Sequence, residues 1–150
     1  MAEPRETEPQ VCRLAAHAWD RGDKERGRNL YRQCVDAAGR GEGHLGAAFY
    51  LCEWARHEGV GGDRIMFERL YGEAIVQEPN APFVLLSYAR ETWTSFRDGA
   101  ACLERVAKLE KLLNSDTWER ASDLSPRAYE QKIETVRAWV RGEPGGPLWP

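Results

Sequence analysis

Cysteine and histidine are the residue types in this 150-residue chain that could act as nucleophiles, proton carriers or metal ligands. The spacing of the four cysteines fits no zinc-binding pattern, and the sequence contains no Cys-x-x-Cys. The cysteines are Cys12, Cys34, Cys52 and Cys102. Each lies among apolar residues, so we expect reduced, buried thiols that pack as small hydrophobic side chains. We therefore expect no metal site and, by default, a cytoplasmic protein.

The motifs of common hydrolases and nucleotide-binding enzymes do not occur in the sequence. It has neither His-Glu-x-x-His nor Gly-x-Ser-x-Gly, and the glycine-rich residues 59–62 follow a predicted helix, which indicates a turn. Glu53 and His57 lie one helical turn apart, which is the spacing of an ordinary surface pair. A nucleophile formed by Cys52 with His17 or His57 stays open, because folding can join distant residues. We expect no catalytic residue and no cofactor.

Composition and charge narrow the class of protein further. Charged residues make up 30% and hydrophobic residues 42%, a mix typical of globular proteins. The net charge is −3, so bulk electrostatics does not favour nucleic acid as a partner. No 20-residue apolar run occurs, and residues 1–10 are too polar for a signal peptide, so we expect no membrane association. The six tryptophans, five tyrosines and four phenylalanines could fill a core or anchor a binding surface.

Apolar residues recur at the spacing of an α-helix along most of the chain. Val11, Leu14 and Ala18 form one face of a first predicted helix, and further segments, such as residues 45–57 and 81–94, repeat this pattern. Residues that can accept hydrogen bonds from free helix amides precede five of the segments. These predicted N-caps are Asp23, Asp63, Asn80, Asp98 and Ser125. No alternating strand pattern is present, so the sequence predicts an all-α chain of about seven helices.

Three predicted helical hairpins share residue types at matching positions when Asp23, Asp63 and Asp98 are aligned. Small or apolar residues recur four, eight and eleven positions after each aspartate, and nine and twelve positions before it. The sets after the aspartates are Gly27, Phe67 and Cys102; Tyr31, Tyr71 and Val106; and Cys34, Ala74 and Leu109. The sets before them are Leu14, Trp54 and Ala89, and Val11, Leu51 and Leu86. Because one hairpin cannot bury both of its faces, we expect neighbouring hairpins to stack.

This pattern resembles the tetratricopeptide repeats and the related Sel1-like repeats over about residues 9–114. The best match is residues 48–74, with small and aromatic residues on a first helix, a Gly-x-Gly turn, and Tyr71-x-x-Ala74 on the second helix. The resemblance implies an α-solenoid of three helical hairpins. The apolar stripe from Tyr129 to Val140 suits a C-terminal helix that caps the last exposed face.

The resemblance also implies binding of another protein or peptide rather than catalysis, with the first helix of each hairpin lining a concave surface. Seven first-helix residues are not needed for packing and combine aromatic rings with opposite charges, as binding surfaces do. They are Trp19, Asp20, Phe49, Glu53, Arg56, Tyr88 and Glu91. For these aromatics a packing role stays open, and for these charges a solvated face stays open.

A basic stripe on the second predicted helix favours two further interpretations. Lys24, Arg28 and Arg32 recur at four-residue steps, which suits RNA or an acidic partner, but a solvated helix face is the simpler expectation. The alternatives to a protein-binding adaptor, specific chaperone or immunity protein are therefore an RNA-binding module and an enzyme with a site at a hairpin junction. We expect one repeat domain over residues 9–141 with flexible ends at 1–8 and 142–150, as a monomer or weak homodimer.

Overall fold

The computed structural model describes residues 8–115, Trp118 and residues 124–143. Over these residues the secondary structure is entirely helical, with no strand, which confirms the predicted all-α class. The helices are α1 (Gln10–Asp20), α2 (Lys24–Gly39), α3 (Ala47–Val60), α4 (Arg64–Gln77), α5 (Pro82–Phe96), α6 (Gly99–Leu113) and α7 (Pro126–Val140). Among the described residues, no helix combines the length and apolar character needed to cross a membrane.

The chain divides into two compact units, Met1–Gln77 and Glu78–Pro150. The first contains α1 to α4 and the second contains α5 to α7. The organisation as one domain over residues 9–141 stays a prediction. The expectation of flexible ends falls mainly on residues 1–7 and 144–150, which lie outside the described part of the chain.

Four of the five predicted N-caps are confirmed by their hydrogen bonds. The side chains of Asp23, Asp63, Asp98 and Ser125 each accept a hydrogen bond from the backbone amide three residues further on, at 3.0–3.2 Å. The prediction for Asn80 is wrong, because α5 begins at Pro82 and its N-cap residue is Ala81. Proline at the first helical position has no amide hydrogen, so one fewer backbone donor needs a cap there.

The first unit is built from two helical hairpins that pack through α2 and α3. Helix α1 packs against α2, α3 against α4, and α2 against α3. Gly22 ends the first α-helix of one hairpin and Gly62 that of the other, both in the left-handed conformation (φ +84° and +86°) that glycine adopts most easily. The local turn residues therefore produce the same hairpin twice.

Most of the aligned repeat positions are buried, and the two exceptions, Leu14 and the half-buried Val11, both lie on α1. Tyr31, Tyr71 and Val106 are fully enclosed, as are the other sets that follow the capping aspartates. In the first helices, however, the predicted inward face is wrong for Leu14, which is 42% exposed. Among the described helices, α3 packs extensively against both α2 and α4, whereas α1 packs extensively against α2 alone, so part of the surface of α1 is left uncovered.

A disulfide joins the two helices of the first hairpin. Cys12 on α1 and Cys34 on α2 are bonded, with their Cα atoms 4.8 Å apart, while Cys52 and Cys102 are buried thiols outside this disulfide. The expectation of four reduced thiols is therefore wrong for Cys12 and Cys34. The two residues lie on the faces of α1 and α2 that pack together, which brings their Cα atoms within the range of a disulfide. The cytoplasmic location rested on reduced thiols and stays only a prediction.

The second unit has an apolar core between the α5–α6 hairpin and α7. The predicted stripe of α7 is confirmed, since Tyr129, Ile133 and Val136 are buried and Val140 packs against the same core. Trp118 is also buried and meets the ring of Tyr129 edge-on, with 6.3 Å between ring centroids. The remaining buried members of this core are Leu86, Ala89, Cys102, Val106 and Leu109. Helix α7 thus covers apolar surface of both α5 and α6.

Candidate partner-binding site

Three helices of the first unit contribute rings to one aromatic cluster, which consists of Trp19, Tyr31, Trp54 and His57. Tyr31 from α2 is fully buried and stacks on Trp54 of α3, with centroids 5.9 Å apart and ring planes 9° apart. The ring centroid of His57 lies 5.7 Å from that of Tyr31 and 5.6 Å from that of Trp19 on α1. Such ring pairs add to the stability gained from burial alone, and they fix the positions of these rings relative to one another.

A glycine sets the position of Trp19. Gly27 on α2 is buried directly beneath this indole, and a Cβ atom at Gly27 would lie 2.8 Å from Trp19 Cε3. Real Cβ atoms do not approach another carbon so closely, because the atoms would overlap. The missing side chain of Gly27 therefore lets the Trp19 indole pack closely against α2.

Glu53 connects the aromatic cluster to the polar surface. The Tyr31 hydroxyl donates a hydrogen bond to Glu53 Oε1 at 3.2 Å. Burial raises the pKa of Glu53 above its ordinary value, and the negative charges of Glu8 and Asp20 raise it further. The hydrogen bond from Tyr31 and the positive charge of Arg56 act in the opposite direction. Glu53 thus lies within electrostatic reach of one carboxylate just before α1 and of another at the C-terminal end of α1.

Tyr50 places a second hydroxyl next to this carboxylate group. Its side chain is 0% exposed, and its Oη has no hydrogen-bond partner among the described residues. Burial, followed by the charges of Glu8 and Glu53, raises the pKa of Tyr50 to about 12. The Phe49 ring packs edge-on against the Tyr50 ring, with 5.2 Å between ring centroids, and 37% of the Phe49 surface is exposed. A buried hydroxyl without a partner is unfavourable, so this atom marks an unsatisfied position in the site.

The structure brings together most of the predicted binding residues of the first unit. The charges of Asp20 and Arg56 both act on Tyr31 and Glu53, Trp19 contacts Tyr31 directly, and Phe49 adjoins Tyr50. We call this surface the α1–α3 face. Its predicted members are Trp19, Asp20, Phe49, Glu53 and Arg56, and the structure adds Glu8, Tyr31, Tyr50 and His57.

Tyr88 and Glu91, the predicted binding residues of the second unit, are both mostly buried. Glu91 is 5% exposed and accepts hydrogen bonds from Arg90 at 3.1 Å and from Thr94 at 3.0 Å. The guanidinium carbon of Arg105 lies 3.8 Å from the centre of the Tyr88 ring. These contacts lie within the second unit, and only 9% of Tyr88 and 5% of Glu91 is exposed, which leaves little of either side chain for a partner.

Two arginines of the basic stripe of α2 pair with carboxylates of α3 and α4, while 41% and 43% of their side chains stay exposed, so the stripe is only partly the solvated face that we expect from the sequence. Arg28 donates two hydrogen bonds of 2.8 Å to Glu58, which is 1% exposed and also accepts from Trp54 Nε1 at 3.0 Å. Arg32 lies over the Trp54 ring at 4.9 Å and donates to Glu73 at 3.2 Å. These charges hold adjacent hairpins together, which removes two of the three cations from the predicted RNA-binding stripe.

The possible metal ligands and the two thiols outside the disulfide bear on whether the chain could carry a metal site or a nucleophile. No group of three or more histidine, cysteine or acidic residues in the described part of the chain is arranged to hold a metal ion. Burial raises the pKa of the Cys102 thiol to about 11, and Cys52 is also buried. A thiol becomes a nucleophile only as the thiolate, which burial disfavours.

Comparison of the chain with protein-family models, with curated proteins and with solved structures gave no match. The resemblance to tetratricopeptide and Sel1-like repeats therefore stays a prediction. The function must be argued from the geometry of the α1–α3 face.

Proposed function

We propose that this chain is a non-catalytic interaction module that binds one partner protein through the α1–α3 face. The observation that carries the proposal is a face of α3 on which the exposed ring of Phe49 is followed, one and two helical turns later, by Glu53 and Arg56. Asp20 of α1 acts electrostatically on Glu53, and the buried aromatic cluster adjoins this face. Aromatic anchors surrounded by charges of both signs are typical of specific protein interfaces. The role would be that of an adaptor, a specific chaperone or an inhibitor such as an immunity protein.

The support beneath this face is rigid, which favours binding over a structural role alone. The Cys12–Cys34 disulfide joins α1 to α2, and the Arg28–Glu58 pair joins α2 to α3. A surface that is ordered before binding loses less conformational entropy when the partner arrives. The residues of the face therefore need little rearrangement to contact another protein.

The architecture that we propose is an α-solenoid of three hairpins with α7 as its C-terminal cap. Supporting this, hairpins α1–α2, α3–α4 and α5–α6 each begin their second helix at a capping aspartate, and each buries the position eight residues beyond it. A surface built from repeated hairpins would suit a partner segment that lies across several first helices.

Capture of partners from the native lysate tests the proposed function. We expect one protein to bind stoichiometrically, and we expect Phe49→Ala and Arg56→Glu each to weaken it about tenfold or more, as interface anchors do. Arg69→Glu is the matched control, because Arg69 is an exposed arginine on α4 outside the α1–α3 face. Thermal unfolding of each variant should match that of the unmodified chain. Failure to capture any stoichiometric partner would contradict the proposal, and unchanged binding of both variants would move the site elsewhere.

One observation favours an enzyme as the second candidate. Burial raises the pKa of Glu53 and lowers that of His57, where the charge of Arg56 acts in the same direction, and both side chains contact Tyr31. Groups with shifted pKa values close together are common at catalytic sites. Screening with p-nitrophenyl esters and phosphates, using Glu53→Gln as the control, tests this candidate. Turnover that the substitution abolishes would favour the enzyme, whereas we expect none.

A further inference from the structure

We propose that a groove between α2 and α4 binds an amphipathic helix of a second partner protein, which presents an apolar stripe flanked by one lysine or arginine. This α2–α4 groove has a volume of about 660 Å³, and the first two turns of α3 form its floor. Its lining residues are distinct from those of the α1–α3 face. The inference therefore goes beyond the proposed function, because it gives the first unit another binding surface.

The α2–α4 groove has the shape of a trough for a helix. One wall is a stripe of α2 that runs from Arg32 to Arg40, a length of about 12 Å at the rise of an α-helix. The opposite wall runs from Gly72 to Gln77 on α4. Helices α2 and α4 each pack extensively against α3, which lies at the bottom of the space between them. An occupant about two helical turns long can therefore contact both walls and the floor.

Apolar side chains and two glycines form the surface that this occupant would cover. Val35 and Leu51 are buried at the bottom of the groove, while Val76 on the α4 wall is 79% exposed. Gly39 and Gly72 lie on opposite walls, and a Cβ atom at either would meet nothing within 4 Å beyond its own helix. Because both glycines leave the backbone accessible, a partner helix can approach closely and bury Val76.

Backbone hydrogen bonding favours a helix over an extended peptide in the α2–α4 groove. Its walls and floor belong to three α-helices, whose backbone amides and carbonyls are paired within each helix. An extended peptide would lose water from its own backbone groups and would find few partners for them. A helix pairs these groups internally, so its apolar stripe can be buried without this loss.

The charges of the groove specify the basic residue of the occupant. Arg32 pairs with Glu73 across the groove at 3.2 Å, and Arg40 pairs with Glu42 at 2.9 Å. Asp36 lies one helical turn from each arginine and is exposed on the α2 wall, and its carboxylate has no ion pair with any described residue. A lysine or arginine beside the apolar stripe of the partner helix would be its complement.

Selection from a phage-displayed library of random peptides, each about three helical turns long, tests the proposal on the full chain. Selection against Gly72→Leu removes peptides that bind elsewhere, because leucine fills the groove and favours the helix. We expect the remaining peptides to share apolar residues three and four positions apart and a lysine or arginine beside them. Asp36→Lys should instead select an acidic residue there. No peptide specific to the unmodified groove, or a shared pattern without the basic residue, would overturn the proposal.

Two matched variants of α4 sharpen this test with the most enriched peptide, labelled with fluorescein. Val76 and Ile65 are both β-branched and both 79% exposed, but of the two Val76 alone lines the groove. Val76→Ala should weaken binding about tenfold, because the apolar contact area becomes smaller. Ile65→Ala should leave the affinity unchanged, and circular dichroism should show the same helix content in both variants. Equal affinity of the two variants for the peptide would overturn the proposal.

Two further results separate the α2–α4 groove from the α1–α3 face and from other occupants. Phe49→Ala should leave the affinity of the selected peptide unchanged. A peptide that depends on Phe49 but not on Val76 would bind the α1–α3 face, so the groove proposal would fail while the proposed function stands. If analytical ultracentrifugation shows dimers of the unmodified chain that Gly72→Leu abolishes, the occupant is a second copy of this chain, which also overturns the proposal.

Discussion

Helices α2 and α3 of the first unit pack through charged and aromatic groups, whereas α7 of the second unit packs mainly through an apolar core, with one ion pair between Arg137 and Glu110 of α6 beside it. Glu58 is buried between two helices with Arg28 and the Trp54 indole as its partners. In the second unit, Ile133 and Val136 meet other hydrocarbon side chains. A charged contact requires its partners at fixed distances and angles, while an apolar core accepts side chains of similar volume.

Because of this difference in packing, the cores of the two units have different roles. The polar contacts of the first unit fix the positions of the rings beneath the α1–α3 face, because Trp54 is both a donor to Glu58 and a stacking partner of Tyr31. The apolar contacts of the second unit stabilise helix packing without defining such positions. We therefore expect the first unit to be the more sensitive of the two to conservative substitution.

Reduction of the disulfide should have the largest effect and should be confined to the first unit. Cross-linking residues 22 positions apart restricts the unfolded chain, so loss of the Cys12–Cys34 bond should cost the first unit about 3 kcal/mol of stability. Hydrogen exchange with mass spectrometry, with and without reductant, reads each unit separately. Alkylation of the denatured, unreduced chain should modify only Cys52 and Cys102. Four modified cysteines would show that the bond is not formed, and equal protection in both redox states would show that it does not stabilise the first unit.

Removal of the buried carboxylate should have the next largest effect. We expect Glu58→Ala to lower the free energy of unfolding by about 2 kcal/mol, at the low end for a buried pair because Arg28 can still reach water. Glu58→Gln should cost less, since its amide oxygen can still accept from Trp54 Nε1. Urea denaturation followed by circular dichroism measures both. If the alanine variant were as stable as the unmodified chain, the polar packing would not hold α2 and α3 together.

A matched conservative change in the second unit should cost less. Ile133→Val removes one methylene from an enclosed position, which lowers stability by about 1 kcal/mol. Ile133→Leu conserves the volume and should cost no more than this. The same urea experiment measures both variants. A loss larger than that of Glu58→Gln, the conservative change in the first unit, would reverse the comparison between the two interiors.

The pH dependence of stability should give the smallest effect. Because folding raises the pKa of Glu53, the folded state holds this proton more tightly, so the contribution of Glu53 is complete below its ordinary pKa. That contribution is lost as the pH rises through the raised pKa. Folding lowers the pKa of His57, so its contribution is lost as the pH falls through that lowered value.

Urea denaturation between pH 4 and pH 8, compared for the unmodified chain and Glu53→Gln, measures the contribution of Glu53. The difference in stability between the two should grow in favour of the glutamine variant as the pH rises from the acid side. A difference that is constant with pH would show that the carboxyl of Glu53 titrates as it does in the unfolded chain.

The sequence predicts local features of this fold better than contacts between distant residues. Capping by Asp23, Asp63 and Asp98 depends on amides three residues away, so the pattern alone is sufficient. The exposure of Leu14 depends on whether another helix covers α1, which the spacing of apolar residues along α1 does not contain. The Cys12–Cys34 bond likewise requires knowledge of which helix faces pack, because cysteine positions alone allow several pairings.

In the candidate site, too, the sequence indicates which residues take part better than it indicates how distant residues contact one another. The resemblance to helical repeats pointed to first-helix residues, and Trp19, Asp20, Glu53 and Arg56 lie close to one buried tyrosine. That tyrosine, Tyr31, occupies a repeat position that predicts packing, and its ring is indeed buried. The hydroxyl nevertheless extends beyond the ring to Glu53, a dual role that a pattern of apolar positions cannot indicate.

The close contact between Gly27 and Trp19 has a consequence for how this surface could be mapped by mutation. Alanine scanning detects residues whose side chains are removed, but alanine at Gly27 adds an atom where only 2.8 Å is available beside the indole. The added methyl group should push Trp19 outward and reshape the α1–α3 face from beneath. A position without a side chain, and without access to solvent, would then control the shape that a partner meets.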